Sequence, residues 1–323
     1  MSECSLREAA AQGGLRIGTA VEPAYLDADE RYGPVLTAEF NSLTPENAMK
    51  WPIVHPQPDR YDFTAADALV DLADAHEMEV RGHTLVWGQA AGNGVPAYLK
   101  DITDPDALRM AVGDHISTVV DRYRGRVDRW DVVNEPLQST GDQLDDNLFR
   151  RLLGDDYIAE SFWRAREADP DVELWLNEVN LELLPNKADA FVSLVSDLRA
   201  RDVPVDGVGL QTHLFGGPPD PAAFESLVRR LADLGVQVAI TEMDLPAGGG
   251  ADRLERQADG YGSTVGACLA VPACEEVTFW GFTDRHTWLD DFLRPGTDPL
   301  LFDDGYVPKP AYDAVRDEVA RRD

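Results

Sequence analysis

The chain has 323 residues, 44% hydrophobic and 8% aromatic, a composition that suits a folded globular protein with ample chain for a core. No apolar run approaches the roughly 20 residues needed to span a bilayer, and a formal charge of −30 repels nucleic acid and anionic membrane, so neither is expected as a partner. The acids are scattered ("DALVDLADAHE", "RLADLGVQ"), which describes a solvated acidic surface rather than an acidic tail, and salt adaptation is one explanation for it.

In chain order, the N-terminal "MSECSLREAAAQGG" lacks a basic start and an apolar h-region, so no signal peptide is read there. Apolar, β-branched runs then alternate with amphipathic patterns. Strands are predicted over 15–21, 38–44, 79–87, 127–135, 172–178, 206–213, 236–244 and 275–284. Helices are predicted over 65–76, 104–123, 157–169, 187–201, 221–234, 252–268 and 310–321. The strands look buried on both faces rather than alternating, which argues for a parallel sheet. Eight such units without a linker or composition break predict one α/β domain over residues 1–323, a (β/α)8 TIM barrel. The competing doubly wound sheet would carry a Gly-rich first turn, and "IGTAVEP" does not supply GxGxxG.

In a barrel, function sits at the C-terminal strand ends. The predicted strands end in polar groups: Asn41 and Thr44, His83 and Trp87, Asn134 and Glu135, Asn177 and Glu178, Gln211 and His213, Glu242 and Asp244, Thr283 and Asp284. Glu135 ends the fourth strand and Glu242 the seventh, and both are expected to point into one mouth. Two carboxyl groups across a pocket are what glycosidic bond cleavage needs, one to protonate the leaving oxygen and one at the anomeric carbon. Trp51, Trp87, Trp280 and Trp288 lie at or beyond predicted strand ends, where indole faces could stack on sugars, whereas Trp130 and Trp175 sit among apolar neighbours and read as core. Cys268 and Cys274 flank a proline, and their spacing fits either a local disulfide or two buried thiols; Cys4 stands alone. No Cys or His pattern suggests a metal site.

Several long segments, in order, are similar to those of family 10 glycoside hydrolases, the retaining endo-β-1,4-xylanases. They are "IGTAV", "FNSLTPENAMKW", "RGHTLVW", "WDVVNEP", "GVGLQTHL", "ITEMD", "VTFWGFTDRHTW" and "PLLFDDGYVPKPAY". The resemblance implies that Glu135 is the general acid/base and Glu242 the nucleophile, with carboxyl groups about 5–5.5 Å apart. Asn134 would bind the sugar 2-hydroxyl, His213 would hydrogen-bond Glu242, and Asp244 would support them. Glu46, Asn47, Lys50, His83, Trp87, Asn180, Gln211, Trp280 and Trp288 would complete the substrate-binding set. The same resemblance pairs Cys268 with Cys274 and implies no metal or organic cofactor. It makes xylan or xylo-oligosaccharide the expected partner of a monomer. A disulfide and a polymeric substrate favour export, with the cytoplasm as the alternative.

Two segments depart from the family pattern. After "GHTLVW" comes "GQAAGNGVPAYL", with Gly88 where relatives usually carry histidine, and the glutamine displaced to Gln89. "NEVN" stands where Asn-Asp-Tyr-Asn is usual, so Glu178 and Val179 replace an acid and a tyrosine. Loss of that ring predicts weaker binding on the aglycone side. The alternatives to a xylanase are a same-fold β-glycosidase trimming short or decorated oligosaccharides and a non-catalytic carbohydrate-binding relative.

Overall fold

The computed structural model describes residues 4–89, 94–293 and 295–322. Its strands are β1 (Arg16–Val21), β2 (Ser42–Pro45), β3 (Glu79–Trp87), β4 (Arg129–Asn134), β5 (Glu173–Glu178), β6 (Gly207–Leu210), β7 (Gln237–Met243) and β8 (Cys274–Phe279). They follow chain order round a closed barrel. The helices are α1 (Leu6–Gln12), α2 (Pro23–Ala28), α3 (Tyr32–Glu39), α4 (Trp51–Val54), α5 (Thr64–Ala75), α6 (Pro105–Arg122), α7 (Leu148–Leu153), α8 (Tyr157–Ala168), α9 (Pro185–Ala200), α10 (Pro221–Ala232), α11 (Arg253–Leu269), α12 (Leu289–Phe292) and α13 (Pro310–Ala320). The expected α/β class, a (β/α)8 TIM barrel, is the one observed.

The strand expected over 38–44 needs correction. α3 runs to Glu39, and β2 begins only at Ser42. Asn41, expected on the functional rim, instead ties the start of β1. Its Oδ1 accepts from the Ile17 N–H at 2.7 Å, and its Nδ2 donates to the Leu15 carbonyl at 3.0 Å. The short helices α1, α2, α4, α7 and α12 also escape sequence reading, because four to seven residues show too few turns to set a period.

Contacts divide the chain into two compact units. In the unit of residues 4–43 and 210–322, β8 pairs in parallel with β1 and with β7. A Cys268–Cys274 disulfide joins the end of α11 to the first residue of β8. Thr283 and Asp284, also expected on the rim, serve the framework here: Asp284 is buried against Lys309 at 2.8 Å and accepts the Leu300 N–H at 2.8 Å. That lysine lies in the "PLLFDDGYVPKPAY" segment and also donates to the Asp298 carbonyl at 2.9 Å.

In the unit of residues 44–209, β4 pairs in parallel with β3 and β5. β4 is buried at every position, as a strand covered on both faces should be. Gly82 is dictated by a neighbour, since a Cβ there would lie 2.2 Å from the Trp130 ring. Trp130 and Trp175 are core residues, as expected. Trp51 is a correction: it is 1% exposed, stacks on His115 with ring centroids 3.8 Å apart, and donates its indole N–H to the Tyr98 hydroxyl at 2.9 Å. Its polar atom is satisfied inside the protein, so it offers no face to a sugar.

Candidate active site

Within the second unit, the end of β4 sets out the acid/base candidate. Asn134 is the last strand residue, and Glu135 follows with a φ of 53°. A non-glycine residue in this left-handed region costs about 1 kcal/mol or more, so surrounding contacts must hold it. The Glu135 N–H donates to the Asn177 carbonyl at 2.9 Å, extending the β4–β5 ladder by one residue. The half-buried carboxyl group receives the Trp87 indole N–H on Oε2 at 3.0 Å. Asn134 is fixed by the Asn177 amide, which donates to its Oδ1 at 2.9 Å.

The "PENAMKW" residues gather beside Trp87. Lys50 Nζ donates to Asn47 Oδ1 at 2.9 Å and lies 5.2 Å from the Trp87 ring centroid. The Asn47 amide reaches Glu46 at 3.5 Å. His83 is buried with Nδ1 2.9 Å from Asp131 Oδ2, and Arg81 pairs with the other oxygen of that aspartate at 2.5 Å. Asp131 was not singled out in the sequence, although a carboxylate near the start of the buried run "WDVVNEP" is the signal that could have marked it. Asn180 follows β5, and its amide donates to the Ser139 carbonyl at 3.0 Å.

Both departures from the family pattern lie in this unit. A Cβ on Gly88 would lie 2.4 Å from Asn147 Cγ, so the Asn147 side chain fills the space in front of Gly88. Asn147 is held there, accepting the Arg150 N–H at 3.0 Å as the cap of α7 and donating to the Tyr157 hydroxyl at 3.4 Å. The residues 90–93 of the extra loop lie outside the described residues. Glu178 is fully buried and ion-paired with Lys187 at 2.8 Å.

Within the first unit, β7 delivers Glu242, whose N–H donates to the Gln211 carbonyl at 3.0 Å. His213 bridges two acids: Nε2 lies 3.2 Å from Glu242 Oε2, and Nδ1 stands at ion-pair distance, 3.0 Å, from Asp244 Oδ2. Burial opposes charge on the imidazole, but Asp244 and then Glu242 outweigh it and raise the pKa to about 10. The ring is therefore an imidazolium at neutral pH, and it faces Glu242 with a positive charge. Trp288 donates its indole N–H to Asp244 Oδ2 at 2.8 Å, and Trp280 meets His213 edge-on at 6.2 Å. Gln211, His213, Glu242, Asp244, Trp280 and Trp288 thus form one group. Among the described residues, no set of three His, Cys, Asp or Glu side chains could hold a metal ion.

The comparisons with known proteins agree with this geometry. The family model described as Glycosyl hydrolase family 10 matches residues 5–318. Endo-1,4-beta-xylanase B of Thermotoga neapolitana is 38% identical over 318 residues, covering 97% of this chain and 90% of the relative. Endo-1,4-beta-xylanase 3 of Hypocrea jecorina is 36% identical over 306 residues, covering 94% of this chain and 82% of the relative. Among solved structures, xylanase 10B of Thermotoga petrophila RKU-1 in complex with xylobiose superposes with a TM-score of 0.93 at 37% identity, covering 99% of this chain and 98% of that one. Native xylanase 10B of Thermotoga maritima gives 0.92 at 38%, with 98% of each chain covered. A match along nearly the whole chain, on a closed barrel with glutamates at the ends of β4 and β7, makes the protein a glycoside hydrolase and a member of glycosyl hydrolase family 10.

Proposed function

We propose that the protein is a retaining endo-1,4-β-xylanase in which residues 1–323 form one catalytic domain. The observation that carries the reading is the difference between its two glutamate environments. Glu135 is half-buried and meets a neutral indole N–H, whereas Glu242 is buried against a cationic imidazole, which suits a carboxylate that must attack as an anion.

In the first step a Glu242 oxygen bonds to the anomeric carbon while the glycosidic C–O bond breaks. The Glu135 proton passes to the departing oxygen. In the second step Glu135 takes a proton from water, the water oxygen bonds to the anomeric carbon, and Glu242 leaves with its electron pair. Asn134, Gln211, Glu46, Asn47, Lys50, His83, Trp87, Trp280 and Trp288 would hold xylose units by hydrogen bonding and stacking. A named relative is a complex with xylobiose, which supports this substrate class. The absence of a tyrosine at Val179 favours short or decorated xylo-oligosaccharides. The disulfide favours an oxidising compartment and therefore export of the enzyme.

The test is reducing-sugar release from xylan by wild type and by Glu242→Ala, with the anomeric configuration of the first product read by NMR. The reading expects β product from wild type and none from the variant. Internal cleavage predicts mixed intermediate sizes from xylohexaose. A wild type that turns over neither xylan nor an aryl xylobioside across a range of salt defeats it.

A further inference from the structure

Glu178 and Lys187 lie outside the proposed chemical steps, yet both are buried side chains at the C-terminal end of β5 and in the first turn of α9. A buried ion pair is weak evidence of stabilisation, because desolvating two charges offsets their attraction. What this pair grips is more informative. Glu178 Oε2 accepts the Leu137 N–H at 2.9 Å. Its Oε1 takes the Val179 N–H at 2.9 Å and the Lys187 ammonium at 2.8 Å. Lys187 also donates to the Ser139 carbonyl at 3.2 Å, the same oxygen that Asn180 holds at 3.0 Å. The contacts with Leu137 and Ser139 fall two and four positions after Glu135, whose left-handed backbone needs an external hold.

We infer that Glu178 and Lys187 are positioning residues for the acid/base: by clamping the Leu137–Ser139 segment to β5 and α9, they fix the backbone turn at Glu135 and so the aim of its carboxyl group. This inference rests on the xylanase reading and deepens it. The charged or titratable groups facing Glu178 are Lys187 on α9, Glu135 after β4 and Tyr157 on α8, whose hydroxyl is buried and stays neutral. Burial pushes the Glu178 carboxyl up to about 7, Lys187 opposes that rise, and Glu135 adds to it.

The experiment compares Glu178→Gln, Lys187→Met and Glu178→Asp with wild type on two substrates. 2,4-Dinitrophenyl xylobioside has a leaving group that needs no proton, and xylohexaose has one that does. Folded sites are counted by covalent titration with a 2-fluoro xylobioside inactivator. A displaced acid loses part of the general-acid contribution, so Glu178→Gln and Lys187→Met should lower kcat/KM per titrated site on xylohexaose by about tenfold or more. The dinitrophenyl substrate should change by less than about threefold, since proton donation contributes little there. Glu178→Asp, which keeps a carboxylate, should restore the wild-type ratio of the two substrates. If the variants slow both substrates alike, alter neither, or only reduce the number of titratable sites, the pair is merely structural and the inference is overturned. An inactive wild type would defeat the xylanase reading and this one with it, whereas an active wild type with an unchanged ratio in the variants defeats only this one.

Discussion

The Trp87 indole donates to Glu135 Oε2 at 3.0 Å, linking the last residue of β3 to the residue just past β4. Trp87→Phe keeps the ring beneath Lys50 and deletes the N–H. In the proposed mechanism Glu135 carries charge during turnover, and a hydrogen bond to such a group is worth about 1.5–3 kcal/mol, so kcat/KM on xylohexaose should fall by about tenfold or somewhat more. The fall should appear mainly in kcat. Steady-state kinetics check it, and a change confined to KM would assign Trp87 to sugar stacking alone.

His213 governs the alkaline side. Its folded pKa, raised to about 10, exceeds the unfolded reference value of 6.5, so its stabilising contribution is complete below about pH 6.5 and is lost as pH rises toward about 10. The thermal midpoint should decline across that window. Asp244→Asn removes the larger of the two attractions and should bring the decline to lower pH, a shift that a melting series from pH 6 to pH 11 would reveal.

A pair of histidines governs the acid side. His115 is buried and its pKa lies well below 6.5 because burial disfavours its charge; His55, 3.3 Å away nitrogen to nitrogen, is lowered for the same reason. Both are held neutral, so their contribution is present above about pH 6.5 and lost as pH falls below it. His115→Phe keeps the stack on Trp51 and removes one titrating ring. Its midpoint should fall less than that of wild type between pH 6.5 and pH 5, as calorimetry would show.

Gly88 and Asn147 should behave as one unit. Gly88→Ala places a methyl group 2.4 Å from Asn147 Cγ, and overpacking of this kind costs about 1–3 kcal/mol. Asn147→Gly alone loses the side-chain cap of α7, at about a few tenths of a kcal/mol, and the hydrogen bond to Tyr157. The double variant should be more stable than the sum of the two losses predicts, because the clash disappears. Denaturant unfolding of all four proteins measures that coupling.

The barrel was legible because its long elements repeat a physical pattern. β3 spans residues 79–87 in the sequence reading and in the structure, since seven consecutive buried residues between a helix and a polar loop leave little freedom. The two glutamates and their amide and imidazole partners were legible as chemistry at strand ends. What escaped were roles set by contacts distant in sequence. Trp51 reads like Trp87 until its indole is found on Tyr98, and Asn41 reads like a rim residue until its amide is found on the start of β1. Asn147 was invisible as the compensation for Gly88, because the two are far apart in sequence and meet only once β3 and α7 are in place. Likewise, Glu178 read as a mere replacement in "NEVN", and its grip on Leu137 appears only with the β4–β5 pairing.

The scarcity of lysine has a practical consequence. Of the four lysines, Lys187 and Lys309 are buried in ion pairs, and Lys50 is half-buried against Asn47 and Trp87; Lys100 is the exposed one. Amine-reactive linkers should therefore attach this enzyme to a solid support chiefly through Lys100, beside any terminal amine. Tethering through so few points should give an oriented film, and adding xylobiose during coupling should shield Lys50 from acylation.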